Sequence, residues 1–216
     1  MSTGDGDEVG LRGYRVVNAA RSAKRRTQVL EAGARVFSRK TYDTATMDDI
    51  AQELGVSKGV VYYQFRSKED IFREIISTAI SEALRRLIAT DERGDPPAER
   101  LREAMRELIV YNLDEATPNY YAMMVIGNIR ALSGSNREQV RDLQRRYQRL
   151  VTRIIDEGVA AGVFDVPDSH VTAMSILTAA NGVSNWFVPG RSADAAQVAA
   201  QVSEQQVRGI LAARKS

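Results

Sequence analysis

Beyond residue 20, apolar residues return every three or four positions, the period of a helix that turns one face to a core. No stretch shows the strict alternation of a half-buried strand. The pattern predicts an all-α fold of about nine helices. A first helix over 22–38 turns Val29, Ala32, Val36 and Phe37 inward. Two short helices follow within "MDDIAQELGVSKGVVYYQF", residues 47–65. Thr46-x-x-Asp49 opens the first, with Ile50 and Leu54 inward and Ala51 small enough for a close neighbour. Gly55 permits a left-handed turn that a side chain would oppose, and Ser57 is placed to cap the second helix. Val61 and Phe65, four apart, face inward and leave Lys58, Gly59, Tyr62 and Tyr63 outside. A fourth helix, opened by Ser67-x-x-Asp70, carries Ile71, Ile75, Ala79 and Ala83 on one stripe to about residue 88.

"TDERGDPPAE", residues 90–99, is polar with one glycine and two prolines, and it breaks the pattern. A helix over 98–115 follows, then "NYYAMMVIGNIRAL", apolar nearly all round and therefore expected to be buried. Ser135-x-x-Glu138 predicts the cap of a long helix to 159, ended by Gly158 and Gly162. Asp168 or Ser169 opens a helix to 188 that Pro189-Gly190 stops, and a last helix covers 193–213. The expected division is a flexible arm over 1–21, a helix-turn-helix domain over 22–67 and a helical body over 68–216.

Charge sharpens that division. Residues 11–75 hold 13 Lys and Arg against 8 Asp and Glu, whereas residues 76–216 hold 17 of each sign. The basic surplus at one end points to a polyanionic partner. There is no cysteine, which excludes disulfides and thiol chemistry and fits a cytoplasmic protein. His170 is the one histidine; alone it makes neither a triad nor a transition-metal site, so no catalytic residue, metal or cofactor is expected. The start "MSTGDGDEVG" lacks the basic and apolar regions of a signal peptide. The nearly apolar run over 171–183 falls short of the roughly 20 residues that span a bilayer, and no membrane role is expected.

A short helix pair with a basic, aromatic outer face has the form of a helix-turn-helix, whose second helix enters the DNA major groove. Lys58 can reach a phosphate or a guanine edge, Gly59 lets the backbone come close, and Val60 can touch a thymine methyl. The Tyr62 and Tyr63 hydroxyls can hold phosphates, and Lys68 adds a cation at the next helix start. An ordinary packed helical corner would show the same spacing.

"TATMDDIAQELGVSKGVVYYQFRSKEDIF" resembles the DNA-binding segment of the TetR family of bacterial transcriptional regulators, T-x-x-x-I-A-x-x-x-G-V-S-x-G-x-x-Y-x-H-F-x-S-K-x-x-L. Thr46, Ile50, Ala51, Gly55, Val56, Ser57, Gly59, Tyr62, Phe65, Ser67 and Lys68 fall in register, and "VLEAGARVF" supplies the preceding helix. The resemblance covers about residues 22–75; Gln64 stands where the family commonly has His and retains an amide for a phosphate. It implies phosphate contacts from Thr46, Tyr62, Tyr63 and Lys68, and groove contacts from Lys58, Gly59 and Val60, with Ser57 at the helix start. It further implies a repressor that binds a palindromic double-stranded operator as a homodimer, with a ligand cavity in the body.

The dimer is expected through the last two helices, because 171–184 and 193–202 are rich in Ala, Ser, Thr and Gly, which let helices approach closely. Pocket candidates are Met105, Ile109, Asn112, Tyr120, Tyr121, Met123, Met124, Gly127, Tyr147, Ile154, Asn181 and Trp186, with Arg130 or Arg146 at a basic rim. Core packing competes for each of them. "NWFVPGRSADAAQV", residues 185–198, resembles the W-[YF]-x-P-G-x-x-[ST] segment of TetR-like regulators of fatty-acid or steroid breakdown. That resemblance implies a small apolar effector of the acyl-CoA thioester class. The alternative is a helical small-molecule binding or interaction module without sequence-specific DNA binding, which would leave the basic N-terminal segment unexplained.

Overall fold

Val29, Ala32, Val36 and Phe37, picked out by their spacing, are all buried along α1 (Gly6–Arg39). The computed structural model describes residues 6–114, 126–188, 190 and 194–213. Its helix α1 begins sixteen residues before the expected start at Ser22, since no proline interrupts the stretch from Gly6. α2 (Met47–Leu54) opens on a reciprocal cap. The Asp49 amide donates to Thr46 Oγ1 at 3.1 Å, and the Thr46 amide donates to Asp49 Oδ2 at 3.0 Å. Two donors that a helix start leaves open are thereby satisfied. Gly55 ends α2 at φ 68° and ψ 36°, where a side chain would be strained. α3 (Lys58–Gln64) and α4 (Lys68–Asp91) complete this part of the chain.

Packing divides the chain into two units, 1–74 and 75–216. In the first unit, the Phe37 and Phe72 rings meet edge to face at 5.4 Å, and Tyr42 lies 4.6 Å from Phe72. Ile50, Val61, Phe65 and Ile71 are buried in the same unit. Each such side chain contributes about 1.5–3 kcal/mol on burial, more than any ion pair on the surface of the unit. Arg26 of α1 adds a polar tie: its guanidinium lies 4.0 Å over the Phe65 ring, with Nε donating to Glu74 Oε1 (2.8 Å) and Nη1 to the Gln64 carbonyl (2.7 Å). These contacts stabilise two helices of eight and seven residues that would be marginal alone.

The second unit is built around α5 (Pro97–Leu113), which packs on α6 (Gly134–Ala160), α7 (Ser169–Gly182) and α8 (Ala195–Arg208). Its core holds Leu101, Met105, Ile109, Val151, Ile154, Ile155, Ile176 and Val207. Arg100, only 9% exposed, joins three helix ends: it donates to Asp91 Oδ1 at 2.7 Å and to Glu157, and Arg153 also holds Asp91.

Several boundaries differ from expectation. Of the apolar stretch over 119–132, the described part is a 3-10 turn, Ile126–Ala131. Ser135 and Glu138 form no cap; α6 starts at Gly134 with Ser133 before it, and Glu138 instead binds Arg145. α7 stops at Gly182, not 188, and Val183–Asn185 tighten into a 3-10 turn, where the Ser184 hydroxyl takes the Asn181 carbonyl at 2.8 Å. α8 ends at Arg208 because the chain beyond it pairs with the segment after α6: the Asp165 amide donates to the Ile210 carbonyl (3.0 Å), and the Ala212 amide to the Val163 carbonyl (2.9 Å). This single antiparallel bridge, Phe164 with Leu211, is the only extended pairing among the described residues.

Gly158 does not end α6, which continues to Ala160. A Cβ there would sit 2.1 Å from Phe164 Cδ2, so the glycine seats the buried Phe164 ring against the helix. Gly158→Ala is expected to destabilise the protein by about 1–3 kcal/mol, because the ring must leave its site. The measurement is thermal unfolding, and a midpoint equal to that of wild type would show that Phe164 relocates without penalty.

Candidate DNA-reading face

α3 turns Val61 inward and its cap Phe65 with it, and Lys58, Gly59, Tyr62 and Tyr63 face solvent. Tyr63 is 83% exposed and Tyr62 45%, while Lys58 and Gly59 are exposed and Val60 is half-buried. Large exposed aromatics on a seven-residue helix are not explained by packing within the chain. Gly59 is not explained by it either. A Cβ at Gly59 would meet nothing nearer than Ser57 Oγ at 3.9 Å, and its φ is not in the left-handed region. A helical glycine costs about 0.8–1 kcal/mol relative to alanine, and the fold draws no compensation for that cost. The space above Gly59 is open to whatever approaches from outside.

Ser57 occupies the position before α3, but its hydroxyl makes no cap bond, contrary to its expected structural role. Lys58 Nζ binds the Asp48 carboxylate at 2.9 Å and lies 5.6 Å from the Tyr62 ring centre. The carboxylate raises the Lys58 pKa, so the ammonium stays charged throughout the physiological range.

Two residues expected at phosphates, Gln64 and Lys68, make bonds within the fold. The Gln64 amide turns toward α1, where Nε2 lies 3.4 Å from Ser22 Oγ, and its carbonyl is held by Arg26. Lys68 points into its own unit: Nζ donates to the carbonyls of Tyr42 (2.8 Å), Asp43 (3.1 Å) and Ala45 (3.0 Å) and lies 4.6 Å from the Tyr42 ring centre. An ammonium has three donors, and all three are engaged. Sequence spacing showed a cation at a helix start but not the three carbonyls that converge on it.

Among the described residues, the candidate ligand residues differ in burial. Met105, Ile109, Ile154 and Tyr147 are buried in the second unit, and loss of water around Tyr147 raises its phenol pKa. Buried Asn112 donates from Nδ2 to Oδ1 of Asn181 at 3.0 Å, while Asn181 itself is exposed. Trp186 is 59% exposed. Arg130 and Arg146 are exposed. Tyr120, Tyr121, Met123 and Met124 lie outside the described residues, as do any side-chain contacts near Gly127.

A capped helix, a glycine turn and a second helix with a bare outward face define a helix-turn-helix regulator. The model of bacterial regulatory proteins of the tetR family matches residues 29–75, and the model of the tetracyclin repressor-like C-terminal domain matches residues 94–210. The chain belongs to the TetR family of transcriptional regulators, which bind DNA and are not enzymes. It is 32% identical over 150 residues to the uncharacterised HTH-type transcriptional regulator YfiR of Bacillus subtilis, covering 65% of this chain and 68% of that protein. It is 27% identical over 193 residues to the HTH-type transcriptional repressor KstR2 of Mycolicibacterium smegmatis, covering 87% and 91%. Its fold is similar to that of AibR in complex with isovaleryl coenzyme A and operator DNA, with a TM-score of 0.76, 20% identity and coverage of 86% and 97%. No helix among the described residues is long and apolar enough to cross a membrane.

Proposed function

We propose that this chain is a cytoplasmic repressor that binds a palindromic operator as a homodimer and leaves it when a small apolar effector, an acyl-CoA thioester, binds the body. The observation that carries the reading is the outward face of α3, with open space above Gly59 and the two exposed tyrosines beside it. In this reading Gly59 and Val60 meet the groove, Lys58 exchanges Asp48 for DNA, and Thr46, Ser57, Tyr62 and Tyr63 hold phosphates. Thr46 Oγ1 accepts the Asp49 amide, which leaves its hydroxyl hydrogen to donate to a phosphate oxygen.

The homodimer reading rests on α7 and α8. Residues 169–182 contain no Lys, Arg, Asp or Glu, and neither do residues 195–203. Yet Val171, Ser175, Thr178 and Asn181 form an exposed stripe on α7, and Ala196, Ala200 and Gln201 are exposed on α8. Solvated helix faces usually carry charge, whereas the centres of interfaces are depleted of it. Exposed Trp186 and Val188 extend the same uncharged surface along the chain.

The thioester reading is supported by the Trp186-to-Gly190 segment, by the overall similarity to KstR2 and by the isovaleryl coenzyme A bound in AibR. An effector releases DNA only through its preference for the form that does not bind the operator. The test is a mobility-shift assay on duplex DNA from beside the coding gene, titrated with acyl-CoAs, matched free acids and aromatic drugs. Acyl-CoAs are expected to release the DNA, with free acids and free CoA weaker. Release by aromatic drugs but by no thioester would overturn the effector class and leave the operator reading standing.

A further inference from the structure

We infer that Lys68 is a positioning residue that sets the DNA-reading face by clamping the loop before α2, and that it makes no contact with phosphate itself. The inference rests on the operator reading above. The loop between α1 and α2, residues 40–46, ends at Thr46, the residue that caps α2. Its carbonyls at Tyr42, Asp43 and Ala45 all turn to one point, where Lys68 Nζ lies 2.8–3.1 Å from each. Three carbonyl oxygens gathered around one point repel one another unless a cation sits among them, and bonds from a charged donor are roughly twice as strong as neutral ones.

The placement also accounts for a cation at the first position of α4. The helix dipole disfavours positive charge there, so Lys68 does not owe its place to α4. The Tyr42 ring, 4.6 Å away and itself packed on Phe72, fixes the direction of the side chain. Ala45 immediately precedes Thr46, so the clamp fixes where α2 begins. α2 in turn packs on α3, which carries Gly59 and the tyrosines. Lys68 thus acts on DNA through Thr46 and α2.

The two roles differ in what salt and arginine do. A lysine on phosphate contributes about 0.9 to the slope of log affinity against log salt, and arginine replaces it well. A lysine at a point of converging carbonyls contributes nothing to that slope, and a planar guanidinium does not fit it. Lys68→Met and Lys68→Arg are therefore both expected to lose about tenfold or more in operator affinity with the salt slope unchanged. In the DNA-free protein, both variants are expected to speed hydrogen exchange at the Ala45 and Asp49 amides. A slope lowered by about one phosphate in Lys68→Met, with full rescue by Lys68→Arg and unaltered exchange, would overturn the inference. The exchange measurement needs no DNA. If wild type binds no operator, the repressor reading fails, while faster exchange in the variants still upholds the clamp and unchanged exchange still overturns it.

Discussion

Gly59→Leu is expected to abolish operator binding, with a loss of about 100-fold or more, in a protein at least as stable as wild type. A β-carbon at residue 59 meets only Ser57 Oγ at 3.9 Å, and the residue is exposed, so a side chain has solvent to extend into. Leucine raises helix propensity, worth up to about 1 kcal/mol in α3. The same side chain would stand between α3 and any backbone or base edge brought against it. Opposite signs for stability and binding are the signature of a glycine kept for an outside partner. Thermal unfolding and a mobility-shift titration give both numbers. Affinity within threefold of wild type would show that α3 does not enter the groove at this residue.

Thr178→Arg is expected to convert the dimer to monomer and to lower operator affinity by roughly 10²–10⁴-fold, because two linked heads gain that much over one. Thr178 lies at the middle of the exposed, uncharged stripe of α7, so a lone chain accommodates arginine there without burial. In a dimer that closes over the stripe, each arginine would lose water without gaining a partner, and symmetry would set the charge against the same face. Sedimentation of wild type should give twice the 23.9 kDa chain mass, and the variant should give one. A variant that remains dimeric would move the interface away from α7, and a monomeric wild type that binds a palindrome tightly would remove the two-headed mechanism.

The reading face shows which parts of the site were legible in the chain. Thr46, Gly55, Val61 and Phe65 could be assigned from spacing alone because each acts within about one turn of its neighbours. The cap, the left-handed turn and the inward pair are local physics, and they stand as expected. Lys68 and Gln64 were legible as polar residues near a helix end, but not in their direction. Lys68 finds carbonyls 23–26 residues away, and Gln64 faces Ser22, 42 residues away. Partners that distant leave no periodic trace.

The same limit applies in the body. The apolar period identified Met105, Ile109, Tyr147 and Ile154 as inward residues, because burial follows from which side of a helix is apolar. It could not separate Trp186, whose side chain is also largely apolar and yet is 59% exposed. Gly158 looked like a helix stop, since glycine ends helices often. Only the Phe164 ring folded back against α6 shows that it is a seat. The sequence by itself determined the helical class, the helix-turn-helix and its outward residues, because these depend on periodicity and on bonds between near neighbours. The tertiary structure alone decided that Lys68 is enclosed by carbonyls while Lys58 stays on the outer face beside Asp48, because that depends on groups brought together from distant parts of the chain.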